Sequence, residues 1–297
     1  MNIASLWGTL CLMLRHPLGR KNKFATIKRF MRWQIGSRVL NAAVAMPFVG
    51  NTRLLVKSGM HGATMNLYVG IQEFEDVAFL LHLLRPEDTF IDIGANVGVY
   101  TVLAAGVRKA TVIAVEPVPV TYDEFLDNIN LNRIGQHVIA HNIGIAAEEG
   151  ELRFSASHGP TNHVLRAKEH EPSVIVTVKT LDDVAAGSSP ALIKIDVEGF
   201  EPEVIRGGCN LLSSPSLLAL IVELNGLGAQ YGFDDRATDK LLREHGFVSV
   251  QYAPFERQLT EIPGPNATGN TLYIRPSVEL DDRLRSSESI EVHGILF

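Results

Sequence analysis

The stretch that decides the fold is TFIDIGANVGVYT, residues 89–101. Its first five residues are mostly apolar and include one charged residue, Asp92, which is typical of a short buried strand. Gly94 follows directly and permits a sharp turn off the strand, and Gly98 would let the next helix approach the sheet. Residues 97–107 then have the apolar spacing of a helix. A strand, a glycine turn and a helix in this order indicate the first unit of an α/β sheet.

Beyond this turn, short apolar strands alternate with amphipathic helices. The alternation predicts a Rossmann-like α/β fold with a mostly parallel, twisted sheet and helices on both faces. The predicted strands lie at 111–116, 137–142, 191–198, 217–225, 247–253 and 270–276, and the helices at 73–84, 121–132, 201–212 and 235–246. Two further strands, at 151–156 and 174–181, are expected to form an inserted pair around a polar loop.

Charge divides the chain into a basic leader and an acidic body. Residues 1–72 contain ten Lys and Arg and no Asp or Glu, whereas the remainder has 17 Lys and Arg against 33 Asp and Glu. We therefore predict a basic N-terminal extension over 1–72, an α/β domain over 73–276 and a polar, loosely ordered tail over 277–297. The leader's anionic partner stays open between a membrane surface, a phosphorylated substrate and the acidic body itself.

The leader contains a candidate surface-binding helix at residues 24–40. Apolar side chains recur there at helical spacing, with Lys and Arg over much of the remaining surface. Two interpretations stay open: a helix docked on the core, or a helix in peripheral contact with a membrane. Residues 3–14 are apolar but too short to span a bilayer, and residues 52–70 predict short strands with turns at 58–59 and 61–62.

The remaining composition restricts the compartment and the partners. Cys11 and Cys209 provide neither a disulfide framework nor a metal-binding spacing, which favours a reducing, cytoplasmic compartment. Membrane association through the leader helix stays open beside it. The acidic body and the lack of interleaved aromatic and basic residues argue against a nucleic-acid partner. A small molecule or glycan is the expected substrate class.

The predicted ligand site lies beyond the carboxyl ends of the strands, as in other open α/β sheets. The turn at 92–98 presents backbone N–H groups at a helix N-terminus, where a ligand carboxylate is favoured, and Asp92 suits a cationic amino group. Glu116 follows the second strand, 24 residues after Asp92, where an acid can accept both ribose hydroxyls. Asn142 and Ile143 follow the third strand and are expected beside an adenine. Because the glycines do not form GxGxxG, S-adenosylmethionine (SAM) fits better than a dinucleotide.

Several motifs together resemble the FkbM family of SAM-dependent methyltransferases. The resemblance covers about residues 73–225, weakly also 269–274, and implies the class I methyltransferase fold and O-methylation of a sugar, glycolipid or other natural-product hydroxyl. Its motifs are IDIGANVGVYT (91–101), VEPVP (115–119), DNINLN (127–132), TLDD (180–183) and LIKIDVEGFEPEVIRG (192–207). The predicted cofactor-binding residues are Glu73, Asp92, Gly94, Ala95, Asn96, Gly98, Tyr100, Glu116, Pro117, Asn142 and Ile143.

Methylation of an alcohol needs a group that takes or holds its proton. Asp196 and Glu198 stand at the C-terminal tip of the predicted strand 191–198. Strand alternation puts both on the same side, with Lys194 in register, so these three are candidate catalytic residues. In the alternative interpretation, Glu198 caps the next helix and Asp196 orders the loop. His163 in the polar insert is a further candidate base.

Two questions about chemistry stay open at this level. Asp196, Glu198 and Glu223 are hard oxygen donors, but their spacing does not require a metal, and we predict none. The alternative functions are a nicotinamide-dependent oxidoreductase, which the missing GxGxxG disfavours, and a non-catalytic nucleotide-binding protein, which the acids at the strand ends disfavour.

Overall fold

The structure is a computed structural model that describes residues 3–39, 42–57, 60–156, 161–166 and 169–297. Its helices are α1 (Ile3–Arg15), α2 (Pro17–Lys21), α3 (Lys23–Val39), α4 (His61–Val69), α5 (Phe74–Leu83), α6 (Val99–Gly106), α7 (Pro119–Asn132), α8 (Leu181–Val184), α9 (Glu201–Arg206), α10 (Cys209–Leu212), α11 (Asp235–Glu244) and α12 (Val278–Ser286). Its strands are β1 (Val44–Pro47), β2 (Arg53–Val56), β3 (Thr89–Ile93), β4 (Thr111–Val115), β5 (Val138–His141), β6 (Gly144–Ile145), β7 (Gly150–Ser155), β8 (Ser173–Lys179), β9 (Pro190–Ile195), β10 (Ala219–Glu223), β11 (Val248–Ala253), β12 (Gln258–Glu261), β13 (Asn270–Ile274), β14 (Glu291–Val292) and β15 (Ile295–Leu296).

An eight-stranded sheet forms the centre of the described part of the chain, in the order β12-β11-β13-β10-β9-β3-β4-β5. The strands from β10 through β9, β3 and β4 to β5 are parallel, and β13 pairs antiparallel with β10 and β11. Alternate residues of β3 enter different cores, with Phe90 on one face and Ile91 and Ile93 on the other. Apolar residues on both faces of a strand require helices on both sides of the sheet. The Rossmann-like α/β prediction is confirmed.

The inserted strand pair is also confirmed, because β7 and β8 pair antiparallel along their length. The helix predicted at 201–212 is instead interrupted, with α9 and α10 separated by Gly207 and Gly208. A Cβ at Gly207 would lie 2.3 Å from the carbonyl oxygen of Ala146. Close approach to the chain after β6 therefore explains both the glycine and the interruption.

Two local predictions are wrong. Residues 61–69 form the helix α4 rather than strands, ended by Gly70 at a φ of 102° and packed on α3, where Arg29 donates to the carbonyl oxygen of Tyr68. The predicted turn at 61–62 is thus the start of α4, and the one at 58–59 lies outside the described residues. The tail is not loose, because Leu280 of α12 and the terminal Phe297 are buried and pack in the main core.

Two asparagines of α7 attach the β1–β2 hairpin to the body. Asn128 accepts a hydrogen bond from the backbone N–H of Leu55 at 2.8 Å, and Asn132 accepts from that of Arg53 at 2.8 Å. Spaced four residues apart, the two side chains lie on one face of the helix. The DNINLN motif therefore has a structural role, since two of its asparagine side chains form hydrogen bonds with the backbone of β2. Among the described residues, no helix has the length and apolarity needed to cross a bilayer.

Candidate functional site

A cavity of about 540 Å³ lies at the carboxyl ends of β3, β4, β9 and β10. This size is within the range of small-molecule and cofactor sites. Predicted residues that line it are Glu73, Gly94, Ala95, Asn96, Tyr100, Glu116, Pro117, Lys194, Asp196 and Glu198. Most of the predicted site therefore converges in one cavity at the sheet edge where open α/β sheets bind ligands.

The glycine turn is built by close backbone approach. Gly94 has a φ of 76°, and a Cβ there would lie 1.8 Å from the carbonyl oxygen of Asp196. Gly98 has a φ of 87°, and its Cβ would meet the Phe125 ring of α7 at 2.8 Å. The prediction that Gly98 brings the helix to the sheet is therefore corrected, because it brings α6 to α7. Gly98 is not among the cavity-lining residues.

The amides of this turn are engaged within the protein. The N–H groups of Gly94 and Ala95 both donate to the carbonyl oxygen of Val115, at 3.0 and 2.9 Å. The N–H of Asn96 donates to Glu116 Oε2 at 3.0 Å. These three donors are therefore not directed at the cavity in this conformation, contrary to the expectation that they receive a ligand carboxylate.

Glu116 is buried at the cavity wall and ties two loops together. Its Oε2 accepts from the Asn96 amide and its Oε1 from the Val118 amide, both at 3.0 Å. Burial raises the pKa of Glu116 to about 7, and the two amide hydrogen bonds oppose this shift. Each carboxylate oxygen has a second lone pair, so the predicted pairing with ribose hydroxyls is compatible with these bonds.

Asp92 lies behind the wall of the cavity rather than in it. Its side chain is fully buried, and Thr101 Oγ1 donates to Oδ2 at 2.7 Å, which joins β3 to α6. Oδ1 has no hydrogen-bond partner in the described part of the chain. Burial raises the pKa of Asp92, and the nearby Lys194 ammonium opposes the shift. A direct contact between Asp92 and a ligand amino group is therefore not supported by this placement.

A buried lysine holds the candidate base. Lys194 Nζ donates to Asp196 Oδ2 at 2.7 Å, and the Lys194 side chain is 4% exposed while that of Asp196 is 27% exposed. Burial disfavours the Lys194 ammonium, but the charges of Asp196 and Asp92 outweigh it and raise the lysine pKa. Asp196 therefore presents a carboxylate to the cavity from a fixed position, with its counter-charge behind it.

Glu198 and Glu223 complete an acidic group with Asp196. One carboxylate oxygen of each residue lies within 4.8 Å of the others, a donor set that a divalent cation could use. Burial and the Asp196 charge raise the pKa of Glu198 to about 7. Burial, with the charges of Asp196 and Glu198, raises that of Glu223 to about 9. Shared protons can thus stabilise the group without an ion, and the absence of a metal stays a prediction.

A second hydrogen-bonded group lies at the start of α5. Tyr100 donates to Glu73 Oε2 at 2.6 Å, and Asn270 Nδ2 donates to Asp76 Oδ2 at 3.0 Å and to Glu73 Oε2 at 3.3 Å. Burial, followed by the Glu73 charge, raises the pKa of Asp76 to about 7. Glu73 and Tyr100 were predicted at the site, whereas sequence reasoning missed Asn270 and Asp76. Asn270 and Asp76 join the site only because β13 packs beside the start of α5 in the folded chain.

Three other predicted site residues are not brought to the cavity. His163 lies outside the cavity lining, with its Nε2 4.0 Å from Glu171 Oε1, so a role as the base lacks geometric support. Asn142 turns its Nδ2 to the carbonyl oxygens of Glu116 and Pro117, at 2.9 and 3.0 Å, rather than toward an adenine. Ile143 is partly buried and packs against one of the hydrophobic cores, and it is not among the cavity-lining residues. Hydrogen bonding and packing with the body decide all three orientations.

The leader also contributes to the cavity wall, which the sequence did not indicate. Lys57, Met60, Ala63 and Asn66, from the end of the β1–β2 hairpin and from α4, are lining residues. Lys57 forms an ion pair with Glu124 of α7 across this wall. The resemblance used for the site begins at residue 73, so it carried no signal for these positions.

Comparison with known proteins agrees with this geometry. The sequence profile described as "Methyltransferase FkbM domain" matches residues 92–249. The chain is similar to the hexuronic acid methyltransferase AglP of Haloferax volcanii, with 30% identity over 174 residues, which are 58% of this chain and 68% of that protein. It is also 30% identical to Methyltransferase 1 of Beauveria bassiana over 149 residues, 41% of this chain and 59% of that protein.

Solved structures with related folds are more distant in sequence. The precorrin-6y C5,15-methyltransferase of Geobacter metallireducens GS-15 is 12% identical, and the alignment covers 78% of this chain and 100% of that one at a TM-score of 0.43. TYW2 of P. horikoshii, in complex with MeSAdo, is 13% identical, with 88% and 86% covered at a TM-score of 0.41. The profile match alone spans more than half of the chain, and this protein therefore belongs to the FkbM family and is a methyltransferase.

Proposed function

We propose that this methyltransferase uses SAM and transfers the methyl group to a hydroxyl of a sugar or related glycan acceptor. The observation that carries the proposal is the single cavity that brings Glu116 and the Gly94 turn together with the carboxylate of Asp196. Support for the sugar comes from the similarity to a hexuronic acid methyltransferase, in which the chain covers 68% of the relative.

The acids of the cavity favour SAM over a dinucleotide. Glu73, Glu116, Asp196, Glu198 and Glu223 all line it. Its lysines, at positions 57 and 194, are paired with carboxylates. The pKa values of Glu116, Glu198 and Glu223 are raised, and a cationic sulfonium and amino group would favour the ionised forms of these acids, whereas a pyrophosphate would disfavour them. When bound, SAM supplies an electrophilic methyl group on a sulfonium. Glu116 would hold the ribose hydroxyls, and the Gly94 turn would leave room for the cofactor beside it.

Asp196 is the best-placed group for handling the acceptor's proton. It lines the cavity, is more exposed than its partner Lys194, and is fixed by the 2.7 Å bond to that lysine. The acceptor hydroxyl would donate its hydrogen bond to the Asp196 carboxylate, which aligns the oxygen and takes its proton. Correct alignment of two reactants can contribute about 7–11 kcal/mol to lowering a barrier. Asp196 and the cavity walls would therefore act mainly by positioning.

The cofactor assignment is tested by calorimetric titration of the full chain with SAM and, separately, with NAD. We expect micromolar SAM binding, no NAD binding, and a loss of SAM affinity of about tenfold or more in Glu116→Ala, since hydrogen bonds to a charged group contribute about 1.5–3 kcal/mol each. Glu149→Ala, which replaces an exposed glutamate outside the cavity lining, is the matched control. Absence of SAM binding in the wild type would overturn the proposal.

The acceptor class is tested separately, with isotopically labelled SAM and a panel of glycosides. Uronic-acid glycosides and neutral hexosides of matched stereochemistry are compared, and the product is analysed by NMR for a methyl group on oxygen. Label on a sugar oxygen is the expected result. Label on nitrogen or carbon, or transfer only to non-carbohydrate hydroxyls, would contradict the sugar assignment while leaving the SAM assignment intact.

A further inference from the structure

Helix α3 has two apolar faces, and the described part of the chain covers only one of them. The inner face buries Thr26, Phe30 and Trp33 against the body. On the outer face, Phe24 is 81% exposed, Met31 52%, Ile35 62% and Val39 77%. Ile27 is 37% exposed on the same side. Single exposed apolar residues are ordinary on protein surfaces, but several on one face of a helix mark a contact with something apolar.

These five residues, here called the outer stripe, lie on one side of the helix. At 100° per residue, positions 24, 27, 31, 35 and 39 fall within about 120° of the helix circumference, and Trp33 lies opposite their centre. The fifteen steps from residue 24 to residue 39 extend about 22 Å along the axis at 1.5 Å per residue. The stripe is therefore wide and long enough to lie lengthwise in an apolar layer.

Basic residues lie within and beside the outer stripe: at 100° per residue, Lys28 and Arg38 fall inside its arc, and Lys23 and Arg32 fall outside it. Lys23, Lys28, Arg32 and Arg38 are all exposed. No acidic residue occurs before Glu73, so the leader carries no carboxylate that would oppose an anionic partner. Trp7 and Leu12 of α1 are also exposed, at 67% and 60%. Exposed apolar side chains together with Lys and Arg on one helix face suit the interface of an anionic bilayer, because long basic side chains can extend from an apolar surface to the charged headgroups.

We propose that α3 docks the enzyme on an anionic phospholipid surface. The outer stripe enters the boundary between headgroups and acyl chains, and the Lys and Arg within and beside it extend to lipid phosphates. Binding is peripheral, since none of the described helices can cross a bilayer. The inner face stays on the body, so docking needs no rearrangement of α3. The proposal does not depend on the identity of the cofactor or acceptor.

The test is sedimentation of the full chain with vesicles of phosphatidylcholine alone and with about one third phosphatidylglycerol. Wild-type protein is expected to bind the anionic vesicles at least about tenfold more tightly. The stripe variant Phe24→Ser/Met31→Ser/Ile35→Ser should lose at least about tenfold in this binding. A matched control, Ile139→Ser/Ile175→Ser/Val278→Ser, removes apolar residues exposed by 51%, 70% and 78% elsewhere and should bind like wild type.

A charge variant separates the two contributions. Lys28→Glu/Arg32→Glu/Arg38→Glu should abolish the preference for anionic vesicles, and raising the salt concentration should weaken wild-type binding in the same way. Thermal melting and SAM titration, both expected to be unchanged, show that the variants fold and that their cavity is intact. Wild-type protein that does not bind anionic vesicles would overturn the proposal, as would a stripe variant that binds like wild type. A wild-type dimer that the stripe variant abolishes, without vesicle binding, would assign the face to a second copy instead.

Discussion

The cavity edge of the sheet and the outer face of α3 both hold side chains in unfavourable surroundings, but they differ in what compensates the cost. At the cavity and just behind its wall, three acids have protein partners: Lys194 for Asp196, backbone amides for Glu116, and Asn270 for Asp76. Burial of a charge is costly unless such partners are present. On α3, apolar side chains face water and nothing in the described residues covers them.

The two regions therefore depend on a ligand or partner to different degrees. The cavity is pre-organised, and its ligand would replace few existing contacts. The outer stripe is complete only with an external partner. The cavity should therefore respond to changes in chemistry and backbone geometry, whereas the stripe should respond only when a surface is supplied. The following variants test this contrast, beginning with the largest expected effect.

Asp196→Asn should reduce turnover by about 10²–10⁴-fold, the usual contribution of a positioned general base. The affinity for SAM should fall by a far smaller factor than turnover, because the other acids that line the cavity remain and Asn can still accept the hydrogen bond from Lys194. Steady-state kinetics with a responsive acceptor and SAM titration measure the two quantities. Glu149→Gln is the control. Turnover within threefold of wild type would remove Asp196 from the mechanism and reduce the cavity to a binding site.

Gly94→Ala should lower the free energy of unfolding by about 2–5 kcal/mol. The left-handed backbone at a φ of 76° costs about 1–2 kcal/mol for alanine, and the Cβ placed 1.8 Å from the Asp196 carbonyl oxygen adds about 1–3 kcal/mol of overpacking. Gly187→Ala is the matched control, since its φ is 78° and nothing lies within 4 Å of the added Cβ. Urea denaturation that gives equal losses for the two variants would contradict the close-approach explanation.

The acidic cavity also predicts a pH-dependent difference between wild type and Glu116→Gln. The folded pKa of Glu116 is raised from 4.5 to about 7 by burial, so the native state retains a proton that the unfolded chain releases in this range. The residue's contribution to stability is therefore complete below pH 4.5 and is lost as pH rises to about 7, by at most about 3 kcal/mol. Denaturation at several pH values should show that Glu116→Gln lacks this decline, relative to wild type. Parallel pH profiles would show that folding does not raise the pKa of Glu116.

The sheet could be predicted because its apolar periodicities are local and uninterrupted. Helix α4 could not, since its nine residues have no capping side chain and are held by contacts with α3. The tail was misjudged because its composition is polar overall, although a few apolar residues, Leu280 and Phe297 among them, are spaced to reach the core.

The candidate site divides in the same way. Glu116, Lys194 and Asp196 follow from their positions at strand ends, where the topology determines the direction of the side chain. Asn270 reaches Glu73 across 197 positions of sequence, and no local pattern reports such an approach. Asp92 lies near the predicted strand end, but its side chain is buried behind the cavity wall rather than in the cavity. Its hydrogen bond with Thr101 depends on where α6 packs, which the local sequence does not show.

The smallest expected effect belongs to the outer stripe. Phe24→Ser should change the free energy of unfolding by less than about 0.5 kcal/mol, since substitutions of exposed residues away from special features usually stay within that range. Phe30→Ser, the same change six positions along α3, should cost about 3–5 kcal/mol, because Phe30 is 6% exposed while Phe24 is 81% exposed. Urea denaturation without lipid measures both. If Phe24→Ser is as destabilising as Phe30→Ser, the outer face contributes to the fold itself, and the contrast with the cavity fails. If it is silent without lipid but weakens vesicle binding, these apolar side chains are maintained for an external surface and not for folding.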